Sequence, residues 1–253
     1  MTSTPAMTTE TSDLYLYGVV PSDYEVPGDL QGVQGKPVRT VGSGRTAAVV
    51  GELEPTEALG TPDDLMAHTR VLDAIGRTRP VLPMAFATVL EGDADVEADV
   101  LAPREDVYVQ ALEHLEGHTQ YTLAVRFDRD QALREIVTSN DEAARLREAI
   151  AGTSEDETRP QRIRLGEIIV RTLESWQPAE SDMVLARLRE VTADVSVRST
   201  GGADDVVEAA VLVPRGELEP FEAAIEDLAR EHHERLRFRL VGPQAPYDFV
   251  PEV

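Results

Sequence analysis

The amino-acid sequence predicts an α+β protein in two domains: an N-terminal α/β domain over residues 13–117 and a C-terminal ferredoxin-like domain, βαββαβ with extra helices, over residues 118–242. A disordered segment at 1–12 precedes them, and a C-terminal segment at 243–253 packs on the body. Three observations lead there. Apolar runs of strand character head both halves, "DLYLYGVV" from Asp13 and "TQYTLAVRFD" from Thr119. From the second run onward the order is strand, helices, strand, strand, helix, strand, the split βαβ order of a ferredoxin-like sandwich. The chain has 253 residues and is 42% hydrophobic but only 5% aromatic, which supplies one large core or two ordinary ones made of Val, Leu, Ile and Ala.

The elements follow in order. Asp13–Val20 is a buried strand closed by Pro21. A loop rich in Gly, Pro and Asp runs to Pro37. "VRTV" and "RTAAVVGEL" are strands joined at the turn Gly42-Ser43-Gly44. In "TPDDLMAHTRVLDAIG", Thr61 is the N-cap and Pro62 opens the helix. Asp63 and Asp64 complement its dipole, and Gly76 ends it. Leu65, His68, Leu72 and Ile75 fall on one face. "PVLPMAFATVL", Pro80 to Leu90, is the most apolar stretch of this half. Pro83 makes it an edge or bulged strand, because proline cannot donate to a ladder. Helix follows from Asp95 to Leu115, broken near Pro103.

In the second half Tyr121, Leu123, Val125 and Phe127 alternate with polar or small residues, as in a half-buried strand. Helices run from Asp130 to Ala151. Ile163, Gly166, Ile169, Val170, Leu173 and Trp176 recur at helical spacing over Arg159–Trp176, and a separate helix spans Glu180–Glu190. "VTADVSVRST" and "DVVEAAVLVP" meet at Gly201-Gly202, a hairpin signal. A helix from Gly216 to His232 buries Leu218, Phe221, Ile225 and Leu228. In the closing "RLRFRL", Leu236, Phe238 and Leu240 face inward and Arg235, Arg237 and Arg239 outward.

Composition excludes several classes of function. The net charge of −23 repels nucleic-acid phosphates and anionic lipid, so neither nucleic acid nor membrane is expected as a partner. Lys36 is the single lysine among 24 basic residues. A salt-rich cytoplasm and a GC-rich genome both give that pattern, and the acidic excess favours the first, a halophile. Without cysteine there is no disulfide, thiolate metal site or cysteine nucleophile. The first residues lack a secretory signal pattern, and no apolar run reaches the roughly 18 residues of a membrane span. A soluble cytoplasmic protein is expected.

Candidate chemistry is sparse. His114 and His118 lie four apart in "HLEGH", but Gly117 separates them and no third ligand has a defined spacing. His232-His233 suits the C-terminal end of a helix, and His68 a half-buried helix position. "VGSGR" lacks the lysine and the hydroxyl residue of a phosphate loop. Carboxylates spread along polar faces, and no nucleophile elbow is present. No catalytic residue, metal ligand or cofactor is expected.

"LYLYGVV", "VLPMAFATV", "RLGEIIVRTLE" and the closing "VGPQAPYDFV", in this order, resemble the gas vesicle protein F/L family. Gly242, Pro243, Pro246, Tyr247 and Phe249 match its closing Gly-Pro and Pro-Tyr-x-Phe pattern. Where the family often has Pro-x-Arg-Phe-Gly, this chain has Pro83-Met84-Ala85-Phe86-Ala87. The resemblance implies a non-enzymatic accessory or minor structural protein of gas vesicle assembly, an N-terminal α/β domain, and a modified ferredoxin-like domain. It also implies association with the hydrophobic major shell protein, gas vesicle protein A, and with other accessory vesicle proteins. A water-excluding shell subunit needs a soluble partner before it is built in, and exposed sheet edges can pair with its strands. The candidate contacts are Pro83, Met84 and Phe86 of the edge segment and Tyr247 and Phe249 near the close. Packing within the chain is the stronger expectation for these aromatics, Phe86 in the core and the closing segment locking the two domains together. A small-molecule sensor built on the ferredoxin-like domain is the alternative, and a hydrolase a third.

Overall fold

The computed structural model describes residues 13–54 and 59–251. The expected disorder at 1–12 and the last two residues of the C-terminal segment lie outside that range. Over the described residues the fold is α+β with two sheets, and the chain divides into two compact units: Met1–Thr119 together with Pro243–Val253, and Gln120–Gly242.

In the first unit β1 (Asp13–Pro21) is central. It pairs antiparallel with β3 (Thr46–Glu52), which pairs in turn with β2 (Val38–Ser43). On its other side β1 pairs with two short strands, β4 (Leu82–Pro83) and β5 (Val89–Glu91). The apolar stretch from Pro80 is thus an edge, interrupted between Pro83 and Val89. Sandwiched in the sheet, β1 is buried from Leu14 to Val20. Gly18 allows the close crossing with β4, because a β-carbon there would lie 2.6 Å from the Leu82 carbonyl oxygen.

The helix α1 (Pro62–Gly76) has the N-terminus its sequence indicates. The Thr61 hydroxyl accepts the Asp64 N–H at 3.2 Å, and the Asp64 carboxylate accepts the Thr61 N–H at 3.0 Å, a reciprocal capping box. Its inward face differs from expectation by one position. Ala67, His68, Val71, Leu72 and Ile75 are buried, while Leu65 is 50% exposed. Leu65 follows the buried cap residue Asp64, and the apolar stripe begins a turn later. From Gly92 the chain is helical to Leu115. It passes through α2 (Gly92–Asp95), one π-helical stretch (Val96–Leu101) and a 3-10 turn carrying Pro103, and enters α3 (Glu105–Leu115). Missing its N–H, Pro103 sits where helical geometry changes rather than where it stops.

The second unit holds a four-stranded sheet ordered β7 (Asp194–Arg198), β8 (Asp205–Pro214), β6 (His118–Phe127), β9 (Leu236–Gln244). β7 and β8 form the antiparallel hairpin expected around Gly201-Gly202. Four helices accompany the sheet: α4 (Arg129–Ser139), α5 (Asp141–Ile150), α6 (Arg159–Val191) and α7 (Leu218–Glu231). Leu123, Val125, Ile136, Val184, Leu188, Val211 and Phe221 belong to its continuous apolar core.

α6 corrects the sequence reading twice. It is one helix of 33 residues, not two, and Pro178 lies inside it. Proline removes one backbone bond, but Leu173 before it and Val184, Leu185 and Leu188 after it are all buried, and Gln177 Nε2 donates to the Val206 carbonyl at 2.7 Å. Packing on both sides carries the helix through. The inward face is Leu165, Ile168 and Leu173, whereas Ile163 is 57% exposed and Val170 is exposed too. In β9 the expected alternation is present, with Leu236 buried, Phe238 and Leu240 half-buried, and Arg237 and Arg239 exposed. Arg235 departs from it. Its guanidinium stacks 4.5 Å from the Trp176 ring centroid and pairs with Glu180 at 2.8 Å.

Candidate functional site

Tyr15 and Tyr17 stand two residues apart on β1, so both rings leave the same face of the sheet. Their centroids are 4.8 Å apart. Two turns into α1, His68 is carried onto them by the capped helix start. It lies parallel to Tyr17 at 5.8 Å and edge-on to Tyr15 at 5.6 Å. Phe86 closes the group from the sheet edge, 5.7 Å from His68 and 6.3 Å from Tyr15. Offset and edge-to-face pairs of this kind add about 0.5–1.5 kcal/mol each beyond area burial.

The interrupted edge is stitched to β1 by its backbone. The Met84 N–H donates to the Tyr17 carbonyl at 2.9 Å, and the Leu16 N–H donates to the Thr88 carbonyl at 2.9 Å. Between them Ala87 takes a left-handed conformation, φ 65°, and its N–H donates to the Tyr15 hydroxyl at 3.1 Å. Pro83 is buried in β4, while Met84 and Phe86 are half-buried.

The C-terminal segment belongs to the first unit. Ala245 is buried among Val71, Leu72, Ile75 and Val81, and its N–H donates to Asp73 Oδ1 at 3.3 Å. The Tyr247 hydroxyl lies 2.8 Å from His68 Nε2, while His68 Nδ1 lies 3.0 Å from the Tyr15 hydroxyl. The Tyr247 residue is 44% exposed, yet its hydroxyl end is turned inward, and burial pushes that phenol up to about 12. Tyr17, whose hydroxyl accepts the Val33 N–H at 2.7 Å, is likewise pushed up to about 12 by burial. His68 is 1% exposed, not half-buried, and desolvation lowers its pKa against the opposing pull of the Met84 carbonyl.

Of the candidate contacts, Phe86 and Tyr247 are therefore brought to the same histidine. Pro83 and Met84 hold the edge beside them, and Phe249 is half-buried in a 3-10 turn (Tyr247–Phe249). Tyr15 and His68 complete the group, and the sequence reading gave them no site role. The signal was present in two tyrosines at i, i+2 and one histidine on the inward stripe of a helix, but nothing local pairs them. The other candidate histidines stay apart in kind: His114 lies on α3 and His118 opens β6. Among the described residues no group of three His, Cys, Asp or Glu side chains is arranged to hold a metal, and no helix is long and apolar enough to cross a membrane. The cluster is a packing and hydrogen-bonding device at a sheet edge.

Residues 13–251 match the family described as gas vesicle synthesis protein GvpL/GvpF. The chain is 30% identical over 239 residues to gas vesicle protein F of Streptomyces sp. strain CB03234, spanning 93% of this chain and 98% of that one. It is 27% identical over 263 residues to gas vesicle protein L of the same strain, spanning 93% and 92%. Its fold is similar to the crystal structure of gas vesicle protein GvpF from Anabaena sp. PCC7120, with TM-score 0.78, 23% identity and coverage of 96% and 99%. It is also similar to that of GvpF from Microcystis aeruginosa, with TM-score 0.72, 21% identity and coverage of 96% and 100%.

Proposed function

The chain belongs to the GvpL/GvpF family of gas vesicle synthesis proteins, and on that premise we propose that it binds the hydrophobic major shell protein during vesicle assembly and remains as a minor structural component. The single observation that carries this reading is the match across residues 13–251, which includes both units and the closing segment. A gas vesicle accessory role follows from the family. The shell-protein contact, the other accessory vesicle proteins as partners, the absence of enzymatic activity, and a location in the cytoplasm and at the vesicle are our reading.

Physical chemistry supports it. A charge of −23 keeps a complex with an apolar subunit dispersed, most of all in a salt-rich cell. The β4–β5 edge offers backbone groups and an aromatic surface together, the combination that strand addition uses. We assign Pro83, Met84, Phe86, Tyr247 and Phe249 to that contact. We read the second unit as ferredoxin-like from its strand order β7-β8-β6-β9 and its split βαβ element order, and give it a scaffolding part.

Co-expression with the major shell protein, followed by pull-down in molar salt, tests the reading. The expected result is co-purification, with more shell protein in the soluble fraction than without this chain. Shell protein that stays insoluble and unbound at every salt concentration overturns direct binding.

A further inference from the structure

α6 carries a row of side chains that the core of the second unit does not cover. Arg159, Ile163, Glu167, Val170 and Glu174 are all exposed, Ile163 at 57%. Successive members are three or four residues apart, so they share one helix face, turned away from the buried Leu165, Ile168 and Leu173. Gly166 borders the row, and a β-carbon there would meet nothing within 4 Å. A second backbone can therefore approach closely at that point.

The charges at the two ends of the row are unused. Glu167 in the middle is held by Arg164 at 3.1 Å and by Arg171 at 3.9 Å. The Arg159 and Glu174 side chains have no partner among the described residues. These two lie equally far from the midpoint of the row, which falls between Gly166 and Glu167, and so do Ile163 and Val170. The row is thus complementary to itself when reversed. A second copy laid antiparallel sets Ile163 on Val170 of that copy and Arg159 on Glu174 of that copy, and the two-fold axis repeats both contacts. At the crossing each Glu167 meets a Gly166, where the missing side chain leaves room. A parallel pair would instead set Arg159 on Arg159 and Glu174 on Glu174, and like charges repel.

We propose that the exposed face of α6 is a self-association surface: two copies of this chain pack α6 against α6, antiparallel, about the Gly166–Glu167 step. The contact is a single helix row, smaller than the roughly 1,200 Å² at which stable interfaces begin, and each copy brings a net charge of −23. The dimer is therefore reversible. It forms in molar salt, where the screening length falls to about 3 Å and the repulsion between copies is removed. The surface lies in the second unit and uses none of the residues assigned to the shell protein, so it stands or falls independently of that contact.

The chain has no cysteine, so single thiols report the geometry. Antiparallel packing brings position 166 of the two copies together and holds the two 163 positions about 10 Å apart along the helix axis. Under copper phenanthroline in about 1 M potassium chloride, Gly166→Cys is expected to form disulfide-linked dimers. An equal mixture of Ile163→Cys and Val170→Cys is expected to link at least about tenfold faster than either alone. Ser175→Cys, exposed on another face of α6, gives the collision background. Gly166→Cys that links no faster than Ser175→Cys, or Ile163→Cys that links to itself as fast as the mixture does, overturns the proposal. Sedimentation equilibrium of the unaltered chain covers the case in which these variants fail to fold. The average mass is expected to rise with protein concentration in molar salt and to return to the monomer with Ile163→Glu, which would bury a charge. At the lowest salt that supports the dimer, Arg159→Glu is expected to weaken it and addition of Glu174→Arg to restore it, because the end pairs re-form with signs exchanged. A monomer at every salt and protein concentration, a dimer untouched by Ile163→Glu, or no recovery in the charge-swapped chain also overturns it.

Discussion

Ala87 holds a left-handed backbone, φ 65°, that a β-carbon disfavours by about 1–2 kcal/mol. The family pattern often has glycine here, and the alanine stays because its N–H is tied to Tyr15. Its side chain is exposed and contributes no burial. Ala87→Gly is therefore expected to raise stability by about 0.5–1 kcal/mol, after the extra entropy of glycine in the unfolded chain is subtracted; urea unfolding monitored by the near-ultraviolet tyrosine signal, which comes mostly from the first unit, measures it. Gly32 is the converse case. A β-carbon there would collide with the Tyr17 hydroxyl, the acceptor of the Val33 N–H. Gly32→Ala should displace that ring or break that bond, lowering stability by about 2 kcal/mol in the same assay.

Elements differ in how plainly the sequence announces them, and the reason is where their determinants lie. α1 is legible from Thr61, Pro62 and Gly76, because capping chemistry is local. Thr61→Ala should cost about 1 kcal/mol in thermal or urea unfolding, and Thr61→Ser little, since serine keeps the accepting oxygen. The hairpin of β7 and β8 is legible for the same reason. α6 is not. Pro178 reads as a boundary, and only the burial of α6's own residues on both sides of it, against other parts of the unit, overrides it. The inward faces of α1 and α6 are misjudged because several stripes of one helix are apolar enough, and the choice among them belongs to the partner surface. The site is half legible. Phe86 and Tyr247 are visible as unusual aromatics, but the group at His68 also takes in Tyr15, and Tyr15 and Tyr247 lie 53 and 179 positions from that histidine.

At the scale of the whole molecule, charge and the return of the chain dominate. A net −23 means long-range self-repulsion in the folded state. Raising ionic strength from about 0.1 M to about 1 M shortens the screening length from about 10 Å to about 3 Å. The melting temperature is accordingly expected to rise over that interval, and calorimetry in potassium chloride would follow it. The ion pairs that are present, such as Arg39–Asp93 at 2.6 Å and Arg129–Asp204 at 2.6 Å, are solvent-exposed and too weak to reverse that trend. Truncation after Gly242 removes Ala245 from its slot and the Tyr247 bond to His68. It should lower stability by on the order of 2 kcal/mol. An unchanged melting temperature in high salt would make the segment a free arm.

The first unit is built from two stretches of chain separated by all of Gln120–Gly242, which has a consequence in time. A ribosome adding about 5–20 residues per second needs on the order of ten seconds to cross that interval. Through those seconds the nascent first unit has its sheet and helix but an unfilled slot where Ala245 belongs, and an imidazole waiting for the phenol of Tyr247. A messenger cut short between Gly242 and that point yields a product whose second unit is complete and whose first is not. Such a product has an open core in its first unit, and a chain ended at Gly242 is accordingly expected to be cleaved faster there in limited proteolysis than the full chain.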